Sequence, residues 1–270
     1  MKPACDPRRM RAARQAKRGT ELESDGADGG AIKAAMVLAA GFGKRMRPLT
    51  DRTPKPLLKL GGRALIDHAL DRLAEAGIQR AVVNVHYFAD QIETHLRGRK
   101  LPQIVISDER QSILETGGGV RKALPHFESQ PFIVHNSDTV WSEGARSNIR
   151  LLMEAWDAER MAAILLLARR ESSIGYEGLG DFHRDASGRL KRRSKGEETP
   201  YVFAGVSILK PELFDGIGDE AFSLNVVFDR AIAGNALFGA VLDGTWMHAG
   251  TPEALLQAES HLNEGRRLRA

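Results

Sequence analysis

Residues 33–62 read KAAMVLAAGFGKRMRPLTDRTPKPLLKLGG. A short apolar run, Ala34–Ala40, stops at a glycine-rich turn, Gly41-Phe42-Gly43. Three cations follow at once, Lys44, Arg45 and Arg47, and a fourth, Lys55, sits between Pro54 and Pro56. The run is too short for a helix of ordinary length and reads as a buried strand. The glycines admit backbone angles and close approaches that a side chain forbids, so amide N–H groups can face an anion. The two prolines restrict the backbone on either side of Lys55 and so limit where its ammonium points. The loop is not a P-loop, which needs Ser or Thr directly after Gly-Lys, nor the dinucleotide fingerprint, which needs a third glycine. In isolation Gly-x-Gly with nearby cations reads as a turn with solvated charges.

Outward from this loop, strands and helices alternate. RALIDHALDRLAEAG places Leu65, Ile66, Ala69, Leu70, Leu73 and Ala74 on one helical face, with Gly77 as the stop. RAVVNV, QIVIS, FIVHN, AAILLLA, YVFAGVSIL and LFGAVL read as strands. FADQIETHL, SNIRLLMEAWDAE, LNVVFDRAIAG (ended by Gly234) and TPEALLQAESHLNEG read as helices, the last with Thr251 as N-cap and Pro252 in its first turn. This order predicts a Rossmann-like α/β domain, a mainly parallel sheet flanked by helices, with the ligand beyond the carboxyl ends of the strands. The first loop then lies at the ligand edge.

Three further stretches carry candidate chemistry. LETGGGVRKAL, Leu114–Leu124, is a glycine run opening a helix; it reads either as a flexible connector or as free N–H groups for an anion or a base edge. FIVHNSDTVW sets Asn136 and Asp138 just past a strand, as an Asx turn or as a carboxylate for a hard cation. DGTWMHAGTPEALLQAE contains His248 before an ordinary helix start.

Taken whole, LAAGFGKRMRPLTDRTPKPL resembles the signature loop of the sugar-1-phosphate nucleotidyltransferases nearly residue for residue, and the likeness runs over about residues 33–262. The form ETGGG is similar to that of the N-acetylmuramate 1-phosphate uridylyltransferase branch. The resemblance implies a nucleotide-diphospho-sugar transferase fold with a small β-rich sugar-binding subdomain at about 170–205, inside a domain spanning 31–266. It implies that Arg45, Lys55 and Asp138 are catalytic. It sets Ala39, Ala40, Gly41, Gly43, Lys44, Asn84, Glu109 and Gly117 against the nucleotide, and Asn136, Glu177, Gly178, Arg193 and Asn225 around the sugar. It implies Mg²⁺ on Asp138. Where the family has a second metal-binding aspartate, this sequence has His248, whose imidazole suits Mn²⁺ or another softer divalent ion. His248 then either binds such a metal, contacts a phosphate, or marks an impaired site. The family's Glu-Lys-Pro is absent, and Lys191, Arg192, Arg193 and Lys195 are the nearby cations.

The implied reaction joins a nucleoside triphosphate and a sugar 1-phosphate into an NDP-sugar and pyrophosphate, with UTP and N-acetylmuramate 1-phosphate, in cell-wall recycling, as the leading pair. A mannose-1-phosphate guanylyltransferase-like enzyme and a non-catalytic sugar-nucleotide-binding regulator are the alternatives. The length leaves no room for the long C-terminal β-helix of larger relatives.

Composition sets outer bounds. The chain has 270 residues, 42% hydrophobic and 27% charged, an ordinary globular balance. Residues 1–30 hold seven Lys/Arg and five Asp/Glu, leaving 32 against 30 in the remainder, so the net charge of +4 comes partly from that end. The nearly neutral body argues against a general nucleic-acid binder. Residues 1–30 have almost nothing large and apolar and read as a disordered basic and acidic extension. No apolar run approaches the roughly 20 residues of a membrane helix, there is no export-signal core, and the single cysteine, Cys5, cannot close an internal disulfide. A cytoplasmic monomer or small homo-oligomer is expected.

Overall fold

The computed structural model describes residues 32–267, with side chains through residue 265. The extension read over 1–30 lies outside the described residues. In chain order the strands are β1 (Ala34–Leu38), β2 (Lys59–Leu60), β3 (Arg63–Ala64), β4 (Arg80–Val85), β5 (Gln103–Asp108), β6 (Phe132–Asn136), β7 (Thr139–Glu143), β8 (Ala163–Arg169), β9 (Phe182–Arg184), β10 (Leu190–Arg192), β11 (Tyr201–Leu209), β12 (Leu237–Val241) and β13 (Gly244–His248). The helices are α1 (Leu65–Glu75), α2 (Ala89–Leu96), α3 (Glu115–Ala123), α4 (Asn148–Glu154), α5 (Asn225–Ala233) and α6 (Pro252–Arg267).

The main sheet runs β5-β4-β1-β6-β11-β8-β12. β5, β4, β1 and β6 are mutually parallel, as are β8 and β12, while β11 is antiparallel to both β6 and β8. Both faces are covered, as the continuous apolar strands require. Alternate residues serve opposite layers. Ala35, Val37, Ala81, Val83, Ile133, Ile164 and Leu166 meet Leu70 and Leu73 of α1 and Ile149 and Leu152 of α4. Met36, Val82, Val134, Leu165 and Leu167 meet Val120 of α3 and Val227 and Phe228 of α5. The helix stops follow the sequence. Gly77 (φ +95) closes α1, with Ile78 N–H donating to the Leu73 carbonyl (2.9 Å). In α5 the left-handed residue is Asn235 (φ +53), one beyond Gly234, and Ala236 N–H donates to Ala231 O (2.8 Å). Asn tolerates that conformation, so Gly234 caps the helix and the left-handed turn falls on the residue after it.

One feature was not expected. β7 and β13 pair as a separate antiparallel ribbon, Thr139 opposite His248 and Trp141 opposite Trp246. The β9–β10 hairpin, within the span read as a sugar-binding insertion, pairs with β11 at Tyr201 and curls back to β12. Gly239 N–H donates to Gly188 O (2.9 Å), and Arg184 Nε donates to Gly239 O (2.8 Å). The hairpin thus covers an otherwise open strand edge. No described helix is long and apolar enough to cross a membrane.

Candidate active site

A cleft of about 340 Å³ opens at the carboxyl ends of β1, β4 and β6. Its lining includes Ala39, Ala40, Gly41, Gly43, Lys44, Arg45, Lys55, Asn84, Asn136 and Asp138, so most of the nucleotide and catalytic candidates converge there. Leu38, Met46, Pro56, Ile113, Glu115, Thr116, Ser137 and Gly250, none of them a site candidate from sequence, complete the wall.

The first loop is tied at both ends. Ala39 N–H donates to Asn84 Oδ1 (2.7 Å), which fixes the loop's start to β4. Gly43 holds φ +62, and a Cβ there would stand 2.9 Å from Thr50 Cγ2, so glycine is required twice over. The Thr50 hydroxyl donates to Gly43 O (2.9 Å), and Tyr87 OH donates to Thr50 O (3.0 Å). Thr50 is fully buried. It is a positioning residue that sequence reading passed over, although the Pro-Leu-Thr in the loop motif contained it. Among the described residues, the amides of Gly41, Phe42 and Gly43 meet no protein acceptor, which leaves them for an anion. Arg45 and Lys44 are exposed at the lip, Lys44 over the Phe42 ring.

Lys55 starts a single 3₁₀ turn, Lys55–Leu57, after Pro54 (φ −66). Its ammonium donates to Asp138 Oδ2 across 83 residues of chain. The lysine side chain is 12% exposed and the carboxylate 35%. Burial alone would raise the Asp138 carboxyl, but the charge and hydrogen bond of Lys55, with a smaller contribution from His248, hold it below the ordinary carboxylate range. His248 lies opposite Thr139 on the ribbon. Its ring packs edge-on to Tyr176 (6.0 Å) and tilted on Trp246 (5.5 Å). A side chain at Gly250 would collide with its Nε2. Desolvation and the nearby Lys55 lower its pKa, so the imidazole is neutral at pH 7.

Beneath the cleft, Asn84 Nδ2 donates to Glu109 Oε1 (2.8 Å), and Glu109 Oε2 accepts from Leu114 N–H (3.2 Å). Both residues are 2% exposed. Asn84 lines the cleft while Glu109 lies behind it, and together they join the first loop to the start of α3. The glycine run is inside α3, and its amides are not free. Gly117 N–H and Gly118 N–H both donate to Phe222 O (2.8 and 3.2 Å). Each glycine admits a close neighbour. A Cβ at Gly117 would collide with the Phe222 ring, one at Gly118 would stand 3.2 Å from Glu220 O, and one at Gly119 would stand 2.8 Å from both Asn84 Nδ2 and Glu109 Oε1. The cleft is lined instead by Glu115 and Thr116, just before the glycines.

The sugar candidates divide. Asn136 is in the cleft. A bulge in β11 at Gly205 (φ +81) leaves room for it, since a Cβ there would stand 3.1 Å from Asn136 Nδ2. Glu177 and Gly178 follow Tyr176, beside His248, and do not line the cleft. Arg193 follows β10 and lines a separate cavity of about 320 Å³ with Asp181, Arg192, Ser194 and Lys195. Asn225 begins α5, where its Oδ1 accepts weakly from Arg192 (3.5 Å).

Among the described residues no three His, Cys, Asp or Glu side chains converge to form a metal cage. One partly exposed carboxylate beside loop amides that have no protein acceptor nevertheless fits a hard divalent ion, which takes one or two carboxylates and completes its shell with phosphate oxygens and water.

Known proteins share this sequence pattern and this fold. The sequence family described as nucleotidyl transferase matches residues 34–265. The N-acetylmuramate alpha-1-phosphate uridylyltransferase of Caulobacter vibrioides is 47% identical over 87% of this chain and 98% of its own. The protein of the same name from Neisseria meningitidis is 34% identical over 84% and 96%. In three dimensions the chain is similar to a UDP-glucose pyrophosphorylase bound to UDP-glucose (TM-score 0.70, 15% identity, 87% of this chain and 100% of that one). It is also similar to the inositol-1-phosphate CTP transferase of T. maritima (TM-score 0.68, 20% identity, 87% and 98%). With a family match that spans nearly all of the described residues, the chain belongs to the nucleotidyl transferase family.

Proposed function

We propose that this chain transfers the uridylyl group of UTP to N-acetylmuramate 1-phosphate, giving UDP-N-acetylmuramate and pyrophosphate. The observation that carries this reading is the 47% identity to the Caulobacter uridylyltransferase over 98% of its length. Mannose-1-phosphate guanylyltransferases are more distant; the catalytic subunit beta of Drosophila melanogaster is 28% identical, over 60% of its length.

In this reaction a phosphate oxygen of the sugar 1-phosphate attacks the α-phosphorus in line. The bond to the bridging oxygen breaks, and pyrophosphate leaves with the electron pair. No covalent enzyme intermediate is required, so the protein acts through position and charge. Gly41 and Gly43 turn their amides to the triphosphate. Arg45, at the exposed lip, neutralises the departing pyrophosphate. Lys55, held beside Asp138, lies where the two reacting phosphates meet and offsets their mutual repulsion. A divalent ion on Asp138, Mg²⁺ or Mn²⁺, supplies further positive charge to the phosphates when bound. The neutral His248 imidazole presents a nitrogen lone pair on the same side, as a metal donor or as a partner for metal-bound water.

The test is pyrophosphate release by the purified protein, crossing five nucleoside triphosphates with N-acetylmuramate, N-acetylglucosamine, glucose and mannose 1-phosphates, in Mg²⁺ and in Mn²⁺. The expected outcome is turnover with UTP and N-acetylmuramate 1-phosphate at least tenfold above any other pair. A GTP–mannose preference would overturn the reading.

A further inference from the structure

N-acetylmuramate differs from N-acetylglucosamine by a lactyl ether that ends in a carboxylate. An enzyme that selects it needs a cation beyond the phosphate site. Resting on the function proposed above, we infer that Arg193 is the specificity residue that binds the lactyl carboxylate.

Lys55 and Asp138 touch, and His248 stands beside them on the ribbon. The imidazole meets the Tyr176 ring at 6.0 Å. The Tyr176 hydroxyl accepts from Gly180 N–H (3.2 Å), and the next residue, Asp181, accepts at its carbonyl from Arg193 N–H (3.0 Å). A line of contacts therefore leads from His248, through Tyr176 and Gly180, to the backbone of Arg193. The guanidinium also lies near enough to Tyr176 for its charge to be felt at the phenol. Arg193 lies outside the cleft lining that holds Lys55 and Asp138, in a separate cavity, which suits a group projecting from the sugar away from the transferred phosphate.

Availability separates Arg193 from its neighbours. Arg170 is paired with Glu198 (2.7 Å), and Arg192 with Asp229 (2.8 Å) while lying over the Phe182 ring. Among the described residues Arg193 has no carboxylate partner; its side chain makes only a 3.5 Å contact to the Ser194 carbonyl. The cavity it lines holds three cations and one acid, Asp181, whose Oδ2 already accepts from Phe203 N–H (2.9 Å). Arg193 is half-buried and Lys195 exposed. A planar guanidinium fits a carboxylate in a bidentate way, and partial burial strengthens the pair over a fully solvated one.

The test is calorimetric binding of UDP-N-acetylmuramate and UDP-N-acetylglucosamine, identical but for the lactyl group, to the whole protein and to Arg193→Gln and Arg193→Lys. Wild type should bind the lactyl compound roughly 10- to 100-fold more tightly. Arg193→Gln should lose that margin by weakening UDP-N-acetylmuramate alone, with UDP-N-acetylglucosamine unchanged within about threefold, and Arg193→Lys should retain part of it. Equal weakening of both ligands in Arg193→Gln would overturn the inference and make the residue a phosphate or general sugar contact. Wild-type binding that does not discriminate would also overturn it. Pyrophosphate release by wild type from UTP and N-acetylmuramate 1-phosphate is measured in parallel. If it is present while binding fails to discriminate, Arg193 is wrong and the function stands; if it is absent, the function itself has failed and the inference falls with it.

Discussion

Lys55 is positioned twice, by the prolines on either side of its backbone and by the Asp138 carboxylate at its tip. Removing either member should therefore harm chemistry more than folding. Lys55→Ala and Asp138→Asn are each expected to lower kcat at least about 100-fold, the usual scale for a preorganised charge at a reacting phosphate or oxyanion. Thermal midpoints should stay within a few degrees, because the pair lies at a cleft wall and not in either core layer. Circular dichroism melts alongside turnover measurements check both halves. At this scale the sequence was informative wherever a residue's chemistry and its neighbours in the chain are both unusual. A lysine between prolines after a glycine loop is such a case. Thr50 is not, since a buried hydroxyl looks from sequence like any loop residue, and Glu109, which the resemblance set against the nucleotide, lies behind the cleft instead. Their roles depend on partners such as Asn84, Leu114 N–H and Gly43 O, brought to them by the fold.

At the scale of elements, α3 shows how one local pattern supports two physical readings. Three glycines before a helix suit an anion cradle, and they suit equally a helix that other parts of the chain must approach closely. The partner that decides is the segment at 220–222, about a hundred residues away, whose Phe222 ring and carbonyl occupy the glycine face. Gly119→Ala tests this. Its Cβ would push against both Asn84 and Glu109 at 2.8 Å, and both are buried with their hydrogen bonds made. The expected cost is about 1–3 kcal/mol of stability by denaturant unfolding, together with weaker nucleotide binding as Ala39 loses its anchor. Gly218→Ala, in open space without a left-handed backbone, should be neutral in both assays. The main strands were legible because doubly covered strands must be apolar throughout, as Ala163–Arg169 is. The β7–β13 ribbon was not, because Thr-Val-Trp-Ser-Glu and Gly-Thr-Trp-Met-His carry no run of that kind and their pairing spans a hundred residues.

Across the whole molecule, three histidines share a tendency that gives the fold a pH limit. His68, His135 and His248 are each driven toward the neutral form, chiefly by burial. His135 is the extreme case. It is fully buried between β1 and β11, stacks on Trp141 at 5.7 Å, and its Nδ1 lies 2.8 Å from the Asn136 carbonyl. Arg72, whose guanidinium covers the same Trp141 ring, adds positive charge nearby, and Asp138 opposes it only weakly. Its pKa falls to about 4 from an ordinary 6.5. Between those values the unfolded chain binds a proton that the folded chain refuses, so stability rises with pH there and is lost as pH falls from about 6.5 toward 4. The lowered Asp138 carboxyl acts in the same direction at the acid end, since its contribution disappears as it protonates. For His135 alone the loss should approach about 3 kcal/mol over that window. Denaturant unfolding of wild type and His135→Asn at intervals from pH 7.5 to 4 measures it. Asn can place a donor where Nδ1 stood, and it does not titrate in this range. The variant starts lower because it leaves a void, but its stability should decline with pH less steeply, by about the predicted amount. Parallel curves would show that the proton does not enter at His135, and would move the acid sensitivity of the fold to the cleft, where the pKa values of Asp138 and His248 are both lowered.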